Sequence, residues 1–97
     1  MPYAYMLRCA DGTYYVGSTH SLQTRLQQHA SGRGSVYTST RLPVELVWSC
    51  ETERMTEAYA WERRIHGWSR RKREALIRGD FDEIVRASGR RGGRPRP

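Results

Sequence analysis

Glu62 is the best carboxylate in the chain for holding a cation. Ala58, Trp61 and Ile65 recur at i, i+3 and i+7, which marks the apolar stripe of one helix, and Glu62 sits beside that stripe. A carboxylate at the edge of a buried face is costly unless it is paired or binds a cation. The plain alternative is an ion pair with Arg63 or His66. On another helix, Arg25 and His29 lie one turn apart beside the apolar stripe Leu22, Leu26 and Ala30. An arginine can clamp phosphate oxygens bidentately, and a histidine can relay protons near neutral pH. A solvated Arg/His face is the bland reading of the same pair. Four tyrosines, Tyr3, Tyr5, Tyr14 and Tyr15, crowd the first fifteen residues. Tyrosines on strands ordinarily serve packing.

The elements that must position these residues can be read from punctuation and periodicity. Residues 3–9 and 13–19 are rich in aromatic and β-branched types and flank Ala10-Asp11-Gly12, a β-hairpin signal. A two-residue loop at Asp11-Gly12 would put Tyr5 and Tyr15 on opposite faces. A three-residue loop, with Gly12 left-handed, would put them on one face with Tyr5 opposite Gly17, whose missing side chain would leave room for a ligand to approach Tyr5. Ser21 caps a helix over 22–30 that Gly32 ends, and residues 31–42 read as a loop. Pro43 opens a third strand, VELVWSC. Thr56 caps a helix over 57–66, and Ser69 caps another over 70–78 that stops at Gly79-Asp80. Asp80 with Glu83 forms a capping box for a last helix ending near Gly89. The order β-β-α-β-α-α-α predicts an α+β (α/β) chain, a small, mostly antiparallel sheet flanked by helices. One domain over residues 1–89 and a disordered basic tail over 90–97 are expected.

Composition bounds what such a site can serve. The 97 residues carry 17 basic and 10 acidic groups, a net charge of +7, and sixteen of the basic residues are Arg. Residues 51–97 hold thirteen of the 17 basic residues. A basic surface draws polyanions by counterion release, so nucleic acid is the expected partner and a membrane is not. Four of the arginines lie at 90–97, leaving about +3 for the rest by the same count. No apolar run approaches the ~18 residues that span a bilayer, and no signal sequence is evident, so a soluble cytoplasmic protein is expected. Cys9 and Cys50 form no CxxC pair and read as reduced, buried thiols rather than zinc ligands.

The ordered set Tyr5-Met6-Leu7, Tyr15-Val16-Gly17, Arg25, His29 and Glu57-Ala58…Glu62…Ile65 resembles the GIY-YIG nuclease superfamily, most closely its small stand-alone bacterial members. The resemblance spans roughly residues 3–80 and extends to HASGRGSVYT and WSRRKREALI. It implies a three-stranded antiparallel sheet, the three-residue hairpin loop, and one divalent cation, Mg²⁺ or Mn²⁺. It also implies endonucleolytic phosphodiester hydrolysis in nucleic acid, DNA before RNA, and structure-selective work in repair or recombination. Tyr5, Tyr15, Arg25, His29 and Glu62 are carried over as catalytic, with Glu62 on the metal. Gly17, Ser18, Arg33, Tyr37, Arg41 and Lys72 are expected to contact nucleic acid. In this reading Arg25 braces the scissile phosphate, Tyr15 takes a proton from the attacking water, and Tyr5 or His29 orients that water. A phenol is a weak base at neutral pH, so Tyr15 needs Arg25 and the cation beside it. The first motif here reads Ala4-Tyr5-Met6, His66 stands where a Lys is common, and the chain contains no Asn. A nucleic-acid-binding module of the same fold without efficient turnover is the rival reading, and a protein-interaction domain using the aromatic hairpin is a weaker third.

Overall fold

The computed structural model describes residues 1–92, and residues 93–97 of the expected basic tail lie outside them. Two compact units form, Met1–His66 and the segment from Gly67 onward.

In the first unit, β1 (Tyr3–Arg8) is the centre of a three-stranded antiparallel sheet, between β2 (Tyr14–Thr19) and β3 (Glu45–Glu51). A central strand is covered on both faces, which is why Ala4, Tyr5, Met6 and Leu7 are all buried in one unbroken run. The β1–β2 register pairs Tyr5 with Gly17 and Leu7 with Tyr15, so the hairpin uses the three-residue loop. Gly12 supplies the left-handed backbone at that turn, φ 86°. One face therefore carries Tyr5, Leu7, Tyr15 and Gly17, and the other carries Ala4, Met6, Val16 and Ser18. Trp48 of β3 pairs with Met6 and so belongs to the second face, after which a register shift brings Leu46 opposite Leu7.

Helix α1 (Leu22–Ala30) is capped by Ser21, whose side chain accepts from the Thr24 amide. The apolar stripe read from its sequence is not the face it buries. Ala30 is exposed and Leu22 and Leu26 are half-buried, whereas His29 is fully buried. A neutral imidazole with both ring nitrogens bonded loses little on burial, so hydrogen bonding overrides hydropathy here. The segment read as loop contains a single helical turn, α2 (Val36–Ser39), so the order is β-β-α-α-β-α-α-α. One turn is too short to show periodicity, and it is held by Ser35, whose hydroxyl accepts from the Thr38 amide.

Helix α3 (Met55–His66) packs on β1 and β2 through Ala58 and Ile65, with Trp61 tilted against Trp48 at 6.2 Å. That contact puts α3 on the second face of the sheet. Its start is not capped by Thr56 as expected. Glu57 reaches back instead and accepts from the Glu53 and Arg54 amides, the carboxylate being favoured at a helix N-terminus. Among the free cysteines, Cys9 is buried as expected, but Cys50 is only half-buried on the edge strand β3.

The second unit holds α4 (Arg70–Arg78) and α5 (Phe81–Gly92). Ser69 caps α4, Gly79 ends it left-handed at φ 73°, and Asp80 caps α5 by accepting from the Glu83 amide. Glu83 accepts from both Arg71 and Arg86, and the two guanidiniums pull its carboxyl down to about 2. The last helix runs past the stop read at Gly89, because Gly89 takes helical rather than left-handed backbone. Among the described residues, no helix is long and apolar enough to cross a membrane.

Candidate active site

Four of the residues singled out from the sequence, Tyr5, Tyr15, Arg25 and His29, converge where α1 meets the tyrosine face of the hairpin. Tyr5 is wholly buried, and its Oη lies 2.9 Å from His29 Nε2. Tyr15 is half-buried, with its ring centroid 6.3 Å from that of Tyr5 and 5.1 Å from that of His29. Burial, and then the neighbouring Tyr15, push the Tyr5 hydroxyl up to about 12. The Arg25 guanidinium works against that rise, which places it close to the phenol, and the Glu62 carboxylate adds to it. Burial and the Arg25 charge both push the His29 imidazole below its ordinary value, so it stays neutral at pH 7.

Glu62 comes from α3, on the opposite face of the sheet from the tyrosines. Ser18 lies on that same face, and its hydroxyl, on the edge strand β2, donates to Glu62 Oε1 at 2.5 Å, while the Glu62 charge is felt at the Tyr5 hydroxyl. Oε2 lies 3.5 Å from His66 Nε2, so the pairing with His66 named as the plain alternative exists, while Arg63 sits over the Tyr59 ring. The Glu62 side chain keeps 22% of its exposure. A half-buried carboxylate backed by one serine suits a hard cation that retains most of its waters, as Mg²⁺ and Mn²⁺ do. It does not suit a caged metal such as zinc, since no cluster of three or more His, Cys, Asp or Glu stands together among the described residues.

The residues expected to grip nucleic acid divide. Gly17 does not open a path to Tyr5. A Cβ there would stand 2.6 Å from Tyr5 Oη, so the space over Gly17 is filled by the Tyr5 ring itself. Ser18 serves Glu62. Tyr37 stacks on Tyr15 with centroids 6.1 Å apart and planes at 27°. Arg41 lies 3.9 Å from the centre of the Tyr37 ring, bonds Asp11 at 3.1 Å, and donates to the Tyr37 carbonyl at 2.8 Å. It thereby ties the α2 turn to the hairpin tip. Arg33 is exposed and donates to Ser31 Oγ at 3.3 Å. Lys72 belongs to the second unit, where its Nζ lies 4.5 Å from the Trp68 ring.

Three residues of the site were not read from the sequence: Gly34, Ser35 and Thr38. Thr38 is fully buried with its Oγ1 2.8 Å from His29 Nδ1, and Ser35 Oγ is 2.9 Å from Thr38 Oγ1. Gly34 lies flat against the imidazole, where a Cβ would fall 2.3 Å from Nδ1. The cap spacing Ser35-Val36-Tyr37-Thr38 was the available signal.

Comparison with known proteins gives one consistent answer. The model of the GIY-YIG catalytic domain matches residues 1–75. A UPF0213 protein of Bacillus pumilus is 44% identical over 75 residues, which cover 77% of this chain and 76% of that one. A UPF0213 protein of Halobacterium salinarum is 41% identical over 77 residues, covering 79% of this chain and 100% of its own. The solution NMR structure of a UPF0213 protein from Bacillus halodurans superposes with a TM-score of 0.54 at 37% identity, covering 91% of this chain and 98% of that one.

Proposed function

Because the chain belongs to the GIY-YIG catalytic domain family, a family of nucleases, we propose that it is a metal-dependent endonuclease acting on nucleic acid, DNA before RNA. The observation that carries this reading is the gathering of Tyr15, Arg25 and His29 around the Tyr5 hydroxyl, with the Glu62 charge felt there from the other face of the sheet. Such a set matches what phosphodiester hydrolysis needs: a base, a phosphate clamp and a cation-binding carboxylate.

The two tyrosines divide the work. Tyr5 holds its proton to about 12 and is wholly buried, so it is no base and acts through its neighbours. Tyr15 is half-buried and can reach a substrate. As phenolate, its Oη takes a proton from the attacking water while the new P–O bond forms and the bond to the 3′-oxygen breaks. The leaving oxygen takes its proton from solvent, which gives 5′-phosphate and 3′-hydroxyl ends. Arg25 braces the non-bridging oxygens as charge grows on them. His29, neutral and buried, holds Tyr5 in place. Glu62, steadied by Ser18, would hold Mg²⁺ or Mn²⁺. When bound, that cation supplies Lewis-acid stabilisation of the phosphate and the leaving oxygen.

The reading is tested on a labelled panel of duplex, flap, branched and single-stranded DNA and RNA, incubated with Mg²⁺ or Mn²⁺. Cleavage that leaves 5′-phosphates and is abolished by chelation is expected, and a flap or branch preference would support work in repair or recombination. Salt-sensitive binding with no cleavage of any member would favour the binding-module reading instead.

A further inference from the structure

Behind Tyr5, four side chains form one unbroken run of polar contacts. Tyr5 Oη, His29 Nε2, His29 Nδ1, Thr38 Oγ1 and Ser35 Oγ are joined by steps of 2.9, 2.8 and 2.9 Å on either side of the ring. Tyr5, His29 and Thr38 are fully buried. The α2 turn is shaped around this run. Gly34 has no side chain where a Cβ would strike the imidazole, and the Ser35 hydroxyl caps the turn that carries Thr38.

Counting protons gives the run a direction. Ser35 Oγ already accepts from the Thr38 amide at 3.1 Å, and its own proton has Thr38 Oγ1 within reach. Thr38 then has one proton and two acceptors, His29 Nδ1 at 2.8 Å and the Ser35 carbonyl at 3.4 Å. With Ser35 donating to Thr38, the shorter of these contacts favours Nδ1 as the acceptor. A neutral imidazole with an accepting Nδ1 carries its proton on Nε2, and which nitrogen is protonated is set by the bond the other makes.

We propose that Thr38, held by Ser35, is a positioning residue that fixes His29 as the Nε2–H tautomer and aims that N–H at Tyr5 Oη. The inference rests on the catalytic reading above for its consequence, though not for its geometry. Tyr5 Oη then accepts from His29, beside the Arg25 guanidinium that also bonds this hydroxyl. Every group that faces His29 fits this state. Tyr5 comes from β1, Tyr15 from β2, Thr38 from α2 and Arg25 from its own helix, and the only cation among them favours a neutral ring. The α2 turn, through the Thr38 hydroxyl, thus sets the hydrogen-bond polarity behind Tyr5.

The direct test is ¹⁵N NMR of the histidine ring nitrogens in the intact wild-type chain near pH 7.5. It uses no substrate, so it decides the tautomer even if no nucleic acid is cleaved. A protonated Nε2 with an unprotonated Nδ1 on His29 is expected, and the reverse pattern overturns the proposal. Thr38→Val keeps the shape and removes the hydroxyl. It should give averaged ring-nitrogen shifts and lower kcat by about tenfold with KM unchanged. Thr38→Ser should restore both. A Thr38→Val chain with wild-type shifts and kcat, or a Thr38→Ser chain no better than Thr38→Val, overturns it as well. If Thr38→Val fails to fold, the wild-type spectrum and Thr38→Ser still decide.

Discussion

Tyr5 and Gly17 are cross-strand partners, and the Tyr5 hydroxyl occupies the place where a side chain on residue 17 would begin, 2.6 Å from that Cβ position. The glycine of the second tyrosine motif is therefore a seat for the first motif's phenol. Gly17→Ala forces the ring out of its seat and away from His29. Stability should fall by about 1–3 kcal/mol, as for an overpacked core, with cleavage lost. Urea unfolding reads the first effect, and an unchanged midpoint would contradict the packing described.

The tyrosines should respond unequally to loss of their hydroxyls. Tyr15→Phe removes the proposed base and should lower kcat by roughly 10²- to 10⁴-fold with little change in stability. Tyr5→Phe leaves the buried His29 Nε2 without its 2.9 Å partner and should cost about 1–3 kcal/mol. Parallel turnover and thermal-unfolding measurements on the two variants separate the roles. The reverse pattern would exchange them.

His29 makes stability depend on pH in a stated direction. Its folded-state value lies below the ordinary 6.5 because burial, then Arg25, oppose the charged form. Below pH 6.5 the unfolded chain therefore binds a proton that the folded chain refuses. The contribution is complete above pH 6.5 and is lost as pH falls from there through the depressed folded value. Melting curves of the wild type and of His29→Gln should converge as the pH drops from 7.5 towards 5. A constant gap would contradict the assignment.

Arg33 and Arg41 were alike in sequence but are not alike in the fold. Arg41 is engaged with Asp11 and with the ring and carbonyl of Tyr37, whereas Arg33 is exposed. Arg41→Ala should lower stability by about 1 kcal/mol, given one partly exposed ion pair and one cation–π contact. Arg33→Ala should leave stability alone and reduce the salt slope of nucleic-acid binding by about 1. Calorimetry and binding titrations across salt concentrations check both.

The sheet and the helices capped by Ser21 and Ser69 were legible because each depends on local chemistry: a cap hydroxyl, an apolar run. The hairpin was legible too, but both loop lengths fitted its turn residues and only the family resemblance pointed to the register that formed. Glu62 was legible as a carboxylate beside a buried stripe. Its link to Ser18 was not, since that hydrogen bond joins residues 44 apart in the chain. The burial of His29 was not legible from its helix alone, where a solvated Arg/His face fits as well, because only the Tyr5 and Thr38 hydroxyls that satisfy the ring make its burial possible. The α2 turn escaped for a similar reason. Its residues show no period, and its purpose is to hold a ring that lies outside it.

The measurement that bears most directly on the central claim compares Glu62→Gln with the wild type on one cleaved substrate, with cleavage and affinity read in the same Mg²⁺ buffer. The carboxamide keeps an acceptor for Ser18 but is a far poorer cation ligand. Cleavage should be abolished while nucleic-acid affinity stays within a few-fold of wild type. Mg²⁺-dependent cleavage by Glu62→Gln at the wild-type rate would contradict the account.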